Sequence, residues 1–111
     1  GCIVKLYHTT NIQVLDAILQ EGINPSKSQG KRPLIWLHTK SKIYWAILHV
    51  QKKRKVSLDE VVIIEVTISK KHLKRAWKGI WTSPLLVGPT RFMRVLRADS
   101  FGDSPVPESE K

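Results

Sequence analysis

Apolar and polar positions alternate from Ile3 to Thr9. Ile3, Lys5 and Tyr7 point one way and Val4, Leu6 and His8 the other, which predicts a strand. The period then changes. Ile12, Leu15, Ile18 and Leu19 form the stripe of a helix running to Ile23, and Gly22 supplies a left-handed stop with a hydrophobic contact after it. Thr10 stands ready to cap that helix, with Gln13 three residues on completing a capping box. A histidine at the end of a first strand, just before a helix N-terminus, is well placed to meet a ligand, because the helix end offers free N–H groups to anionic oxygens.

The segment 24–33 is rich in turn formers with basic residues interleaved, and reads as a surface loop. Leu34-Ile35-Trp36-Leu37 is a compact apolar run that predicts a buried strand. Ser41 is positioned to cap a helix from Lys42 to about Lys52, with Ile43, Ala46, Ile47 and Val50 inward and Tyr44 and Leu48 flanking. The basic run Lys52-Lys53-Arg54-Lys55 complements the dipole at that helix's end and doubles as a candidate phosphate contact. Val61 to Ile68 is the strongest strand of the chain, and its unbroken apolar start predicts cover on both faces. A short basic helix, Lys70 to about Trp77, is expected next, capped by Ser69 and closed by Gly79. Ile80-Trp81-Thr82 is a brief strand candidate, followed by a loop or short strand over 85–89. Thr90 to Ala98 predicts a last strand with Phe92, Val95 and Leu96 inward and Arg91, Arg94 and Arg97 mostly outward, serving either as edge protection or as a phosphate rail. The order β-α-β-α-β-short α-β-β lacks a regular βαβ rhythm, so the class is α+β, one domain over 1–98 with a flexible acidic tail over 99–111.

Charge changes the picture. The 111 residues carry a net charge of +10, and residues 1–98 alone hold 18 basic against 5 acidic side chains, a balance of +13. Such a surface attracts polyanions through counterion release, and nucleic acid is the commonest of them. Lys31, Arg32, Arg91 and Arg94 are the candidate nucleic-acid or phosphate contacts. The single Cys2 fits a reducing compartment, no apolar run approaches the roughly 18 residues that span a bilayer, and no leader pattern precedes Leu6. These points predict a cytoplasmic protein with no membrane partner.

The usual catalytic templates are absent. His8, His38, His49 and His72 share no close spacing, so no metal site is expected. There is no nucleophile-elbow motif and no Gly-rich phosphate loop. What remains is an arrangement: a strand ending Tyr7-His8-Thr9-Thr10, a helix ending Leu19-Gln20-Glu21-Gly22-Ile23, a basic loop, Ile35-Trp36-Leu37, then a helix bearing Ser41 and Tyr44, and the Val61–Ile68 strand. Over residues 4–98 this resembles the ADP-ribosyltransferase fold, in which two small, mostly antiparallel sheets and two main helices form a cleft for NAD. The resemblance implies that His8 holds an NAD ribose. It implies that Thr9, Thr10, Trp36 and Ser41 line the cofactor site and that Tyr44 stacks on nicotinamide, with His8 and Tyr44 as the catalytic pair. NAD is then the substrate that supplies ADP-ribose. The late-strand glutamate of the family has no counterpart near Ile80-Trp81-Thr82-Ser83, and Glu65 lies on an earlier strand. Three readings follow: a transferase acting on a nucleic acid or other anionic target, an RNA 2′-phosphotransferase-type enzyme, and a non-catalytic binder of ADP-ribose or nucleic acid.

Overall fold

The computed structural model describes residues 3–27 and 32–101; Lys31, Cys2 and residues 102–111 of the expected tail lie outside it. Among the described residues, six strands make one antiparallel sheet, with two α-helices against it. The strands are β1 (Ile3–Asn11), β2 (Ile35–His38), β3 (Val61–Ser69), β4 (Lys74–Trp77), β5 (Ile80–Ser83) and β6 (Phe92–Arg97), and the helices are α1 (Leu15–Glu21) and α2 (Ile43–Arg54). The strand order is β4-β5-β2-β1-β3-β6. None of the helices among the described residues is long and apolar enough to cross a membrane.

The sheet has two unequal halves. β1 and β3 are registered over nine residue pairs, from Ile3↔Ser69 to Asn11↔Val61, and β6 adds to the far side of β3. β2 and β5 share four pairs, and β4 closes that half as a hairpin. Between the halves, β1 and β2 meet at a single registered pair, Tyr7↔His38. Where the resemblance implies two separate small sheets, the chain forms one, joined at this narrow seam. Neighbouring strands that pair at one point diverge on either side of it, and the divergence opens a space between the halves.

Two apolar clusters cover the two faces of the sheet. Leu6, Ile35, Leu37, Ile64 and Val66 pack with Leu15 and Ile18 of α1 on one face. Tyr7, Val61 and Ile63 pack with Ile43, Ile47 and Val50 of α2 on the other. This explains the unbroken apolar run of β3: Val61 to Val66 are all buried because both of its faces are covered. Ile43, Ala46, Ile47 and Val50 form the inner face of α2, as their spacing requires.

Several local expectations are corrected. Thr10 does not cap α1; it is the buried penultimate residue of β1, and Ile12–Val14 is a 3-10 turn before the helix. The Gln13 amide instead links Asn11 to Glu60. Ser41 lies inside the 3-10 turn Lys40–Lys42, its hydroxyl on Thr39, and α2 begins at Ile43, one residue after the start that the capping pattern predicts. Lys70–Trp77 is not a helix: after the turn Lys70–His72, which Ser69 does cap, the chain enters β4. The tertiary pairing of β4 on β5 overrides the helix propensity of Lys74, Arg75 and Ala76. Gly79, at φ +79°, permits the two-residue turn that closes this hairpin. Val95 is exposed rather than inward, because β6 is an edge strand. Residues 99–101 of the expected tail lie in a 3-10 turn.

Gly22 fixes the end of α1. A Cβ there would stand 2.6 Å from the Val87 carbonyl oxygen, at φ +91°. The close approach lets Ile23 and Val87 exchange backbone hydrogen bonds of 2.8 and 3.0 Å, tying the helix exit to the 85–89 segment.

Candidate functional site

The space at the seam is a cavity of about 600 Å³, within the range of small-molecule sites. His8 and Thr9 both line it, as do Trp36 and Leu37, although neighbours along a strand point to opposite faces. Both parities reach one space because β1 and β2 separate there. α1 contributes Ala17, Ile18 and Glu21, and α2 contributes Trp45, His49, Lys53 and Arg54.

Two histidines are fixed at the seam by main-chain oxygens. The His8 ring donates Nδ1–H to the Trp36 carbonyl at 3.0 Å. Its Nε2 therefore carries a lone pair, with no partner for it among the described residues. Burial holds its pKa below the usual histidine value, against the pull of that carbonyl, and the Arg54 charge adds to the depression. His38 donates Nδ1–H to the Thr39 carbonyl at 2.9 Å and accepts the Thr9 hydroxyl on Nε2 at 2.7 Å. Its ring stacks on Tyr7, with centroids 6.0 Å apart. Burial is the main reason its pKa falls to about 4, with His8 adding a smaller repulsion. Both imidazoles are neutral at pH 7, each in one tautomer.

Three tryptophans, Trp36, Trp45 and Trp77, stand among the aliphatic side chains that line the cavity, with Lys27, Lys53 and Arg54 beside them. Trp36 and Trp77 meet at 5.6 Å with planes tilted by 48°. Trp45 stacks on His49 at 5.2 Å and 13°. Burial and the nearby Lys53 both lower the His49 pKa. Arg54 is oriented by a bond of 2.8 Å to the Asn11 side-chain oxygen. The Asn11 amide bonds Gln13, whose own amide bonds Glu60, so the guanidinium is braced by a chain of three side chains. Planar rings with cations beside them suit a flat heteroaromatic ring joined to an anionic group.

Of the residues expected in the site, His8, Thr9, Thr10 and Trp36 line the cavity and Ser41 and Tyr44 do not. An α-helix turns about 100° per residue. Trp45, His49 and Lys53 follow one another along one flank of α2, and Tyr44 with Leu48 occupies the other, exposed flank. The aromatic ring that α2 offers the cavity is thus Trp45. Arg32, Arg91 and Arg94 are exposed and do not line the cavity; Arg94 is engaged by Glu65 at 3.2 and 3.3 Å. Glu65 also accepts the Tyr7 hydroxyl at 3.0 Å and stands outside the cavity lining. Burial alone would raise its pKa, but the bonds from Arg94 and Tyr7 and the Arg94 charge hold it below the usual value.

Sequence reasoning missed His38, Trp45, His49 and Trp77. The i, i+4, i+8 series Trp45, His49, Lys53 on a non-core flank was the available signal for α2. Nothing local marks Trp77, since its aim depends on hairpin pairing. Among the described residues no group of three His, Cys, Asp or Glu side chains stands close enough to hold a metal ion. No family model matches this chain, and no curated protein matches it.

Proposed function

We propose that the seam cavity binds NAD and that the chain is an ADP-ribosyltransferase-like domain acting on a nucleic acid or another anionic acceptor. The observation that carries this reading is the His8 imidazole, which is held through Nδ1 by the Trp36 carbonyl and lines a cavity that also holds three tryptophans, so that Nε2 can serve as an acceptor. A ribose hydroxyl donates to Nε2, the nicotinamide or adenine ring lies against Trp45 or Trp36, and the pyrophosphate meets Lys53, Arg54 and Lys27. In transfer, the bond from ribose to the nicotinamide nitrogen breaks and nicotinamide leaves with the electron pair. The acceptor's heteroatom forms the new bond and gives up its proton. Pinning the ribose and gripping the ring favour the oxocarbenium-like state between these events.

A second reading, binding of ADP-ribose without turnover, has one observation in its favour. Glu21 is the only carboxylate among the described lining residues, and it is ion-paired with Lys27 at 3.3 Å. The RNA 2′-phosphotransferase reading asks Arg91, Arg94 and Lys31-Arg32 to read a phosphate; Arg32, Arg91 and Arg94 do not line the cavity, and Lys31 lies outside the described residues.

Thermal unfolding with and without millimolar NAD tests the proposal. Binding at a hundredfold excess over Kd stabilises the fold by about 2.7 kcal/mol, and His8→Ala removes that gain while leaving the unliganded midpoint nearly unchanged. A midpoint unmoved by millimolar NAD in the unsubstituted protein rejects the reading. Where NAD binds, nicotinamide release with nucleic acid present separates the transferase from the binder.

A further inference from the structure

The β4–β5 hairpin carries a charge pattern that the cavity does not use. Lys70, Lys71, Lys74, Arg75 and Lys78 fall within nine residues that contain no acid. All five are exposed. Lys70 lies over the Trp81 ring at 5.2 Å. The ion pairs among the described residues involve none of the other four. Edge protection accounts for cations on β4, which is an edge strand. It does not account for Lys71 and Lys78 outside the strand, and it is opposed by Trp77, a large apolar ring 52% exposed on that same edge.

The aim of Trp77 is built in. The β4–β5 register shifts between Arg75 and Trp77, so Trp77 pairs with Ile80 while Arg75 pairs with Trp81. Paired residues share a face, and the irregularity therefore moves Trp77 off the Arg75 face onto the face of Ile80, which lines the cavity. There it meets Trp36, itself 42% exposed, across β5. Half-exposed rings that also line the cavity stand at its rim. Cations outside the ion pairs of the described residues, beside accessible aromatic rings, are the two elements that hold a nucleic acid strand whose bases are unpaired.

We propose that the β4–β5 hairpin is a docking surface for single-stranded nucleic acid. Its phosphates lie along Lys71, Lys74, Arg75 and Lys78, and one base stacks on the Trp36–Trp77 pair at the cavity rim. A duplex keeps its bases stacked inside and cannot make the second contact. The surface stands on its own observations and does not require that NAD occupy the cavity.

Fluorescence anisotropy of a labelled oligothymidylate of about 20 nucleotides, titrated over a series of salt concentrations, tests this. The log of the affinity falls linearly with the log of salt. Changing Lys71, Lys74, Arg75 and Lys78 together to Gln lowers the slope by up to about 3, since each phosphate neutralised on a single strand is worth about 0.7. Trp77→Ala weakens binding about tenfold with the slope unchanged, since stacking carries no charge. A duplex of the same length binds more weakly than the single strand. Circular dichroism and melting confirm that these exposed substitutions leave the fold intact. The proposal is overturned if the oligonucleotide fails to bind at about 50 mM salt, or if the fourfold variant keeps the full slope. It also falls if duplex binds as tightly as single strand, or if polyglutamate displaces the oligonucleotide at equal charge. Oligonucleotide binding in a protein that ignores NAD removes the earlier reading and leaves this one standing.

Discussion

The two halves of the sheet are built from different materials. The β1–β3–β6 half is long and mostly aliphatic, with β1 and β3 registered over nine pairs, one irregularity between β3 and β6 at Glu65/Val66, and Val61 to Val66 all buried. The β2–β5–β4 half is short, and its outer hairpin displays Trp77 and a row of cations. An aliphatic strand buried on both faces gains most from removal of apolar area from water, whereas half-exposed tryptophans gain little and leave their rings available. The first half carries most of the buried aliphatic core, to which β2 adds Ile35 and Leu37, and the outer hairpin of the second carries the exposed rings and cations.

The largest test of this contrast is Ile64→Ala, fully buried at the centre of β3. It should cost about 2–5 kcal/mol in a urea titration, while Trp77→Ala costs about 1 kcal/mol or less. Equal losses would erase the distinction between the halves.

The seam that joins them should be acid-sensitive. The His38 pKa is about 4 in the fold against an ordinary 6.5. Between those values the unfolded chain binds more protons than the native one, so stability falls as pH drops from 6.5 towards 4. His38 contributes about 3 kcal/mol to that loss, and nothing above pH 6.5. Proton NMR of the His38 ring should show no titration until about pH 4, and a midpoint near 6.5 would mean that the seam admits water and a charged ring.

A finer division runs along α2, between the flank of Trp45 and the flank of Tyr44. Trp45→Ala should weaken NAD about tenfold, roughly 1.4 kcal/mol, and Tyr44→Ala less than twofold, both read by calorimetry. The reverse ranking would return the cavity to the tyrosine.

Much of this was legible along the chain. The alternation of β1, the apolar run of β3 and the inner face of α2 each follow from a hydrophobic period that burial enforces. The stretch His8 to Thr10 and Trp36 do line one space. The misreadings share a cause. Lys70 to Trp77 contains good helix formers, and only pairing with β5 through the Gly79 turn makes it a strand. Ser41 and Tyr44 fall on one face only if the helix starts before Ser41, but a 3-10 turn intervenes and the helix begins at Ile43. His38 carries no pattern of its own, since its role comes from a single pairing with Tyr7, far away in sequence.

Both imidazoles at the seam take their orientation from peptide oxygens, those of Trp36 and Thr39, and not from carboxylates. A side chain that orients a neighbour is one codon change from being lost, but every residue type has a carbonyl. The Nδ1 protons of His8 and His38 are therefore fixed by the path of β2 and the residue that follows it, and drift in the surrounding side chains leaves them in place for as long as that stretch holds its course.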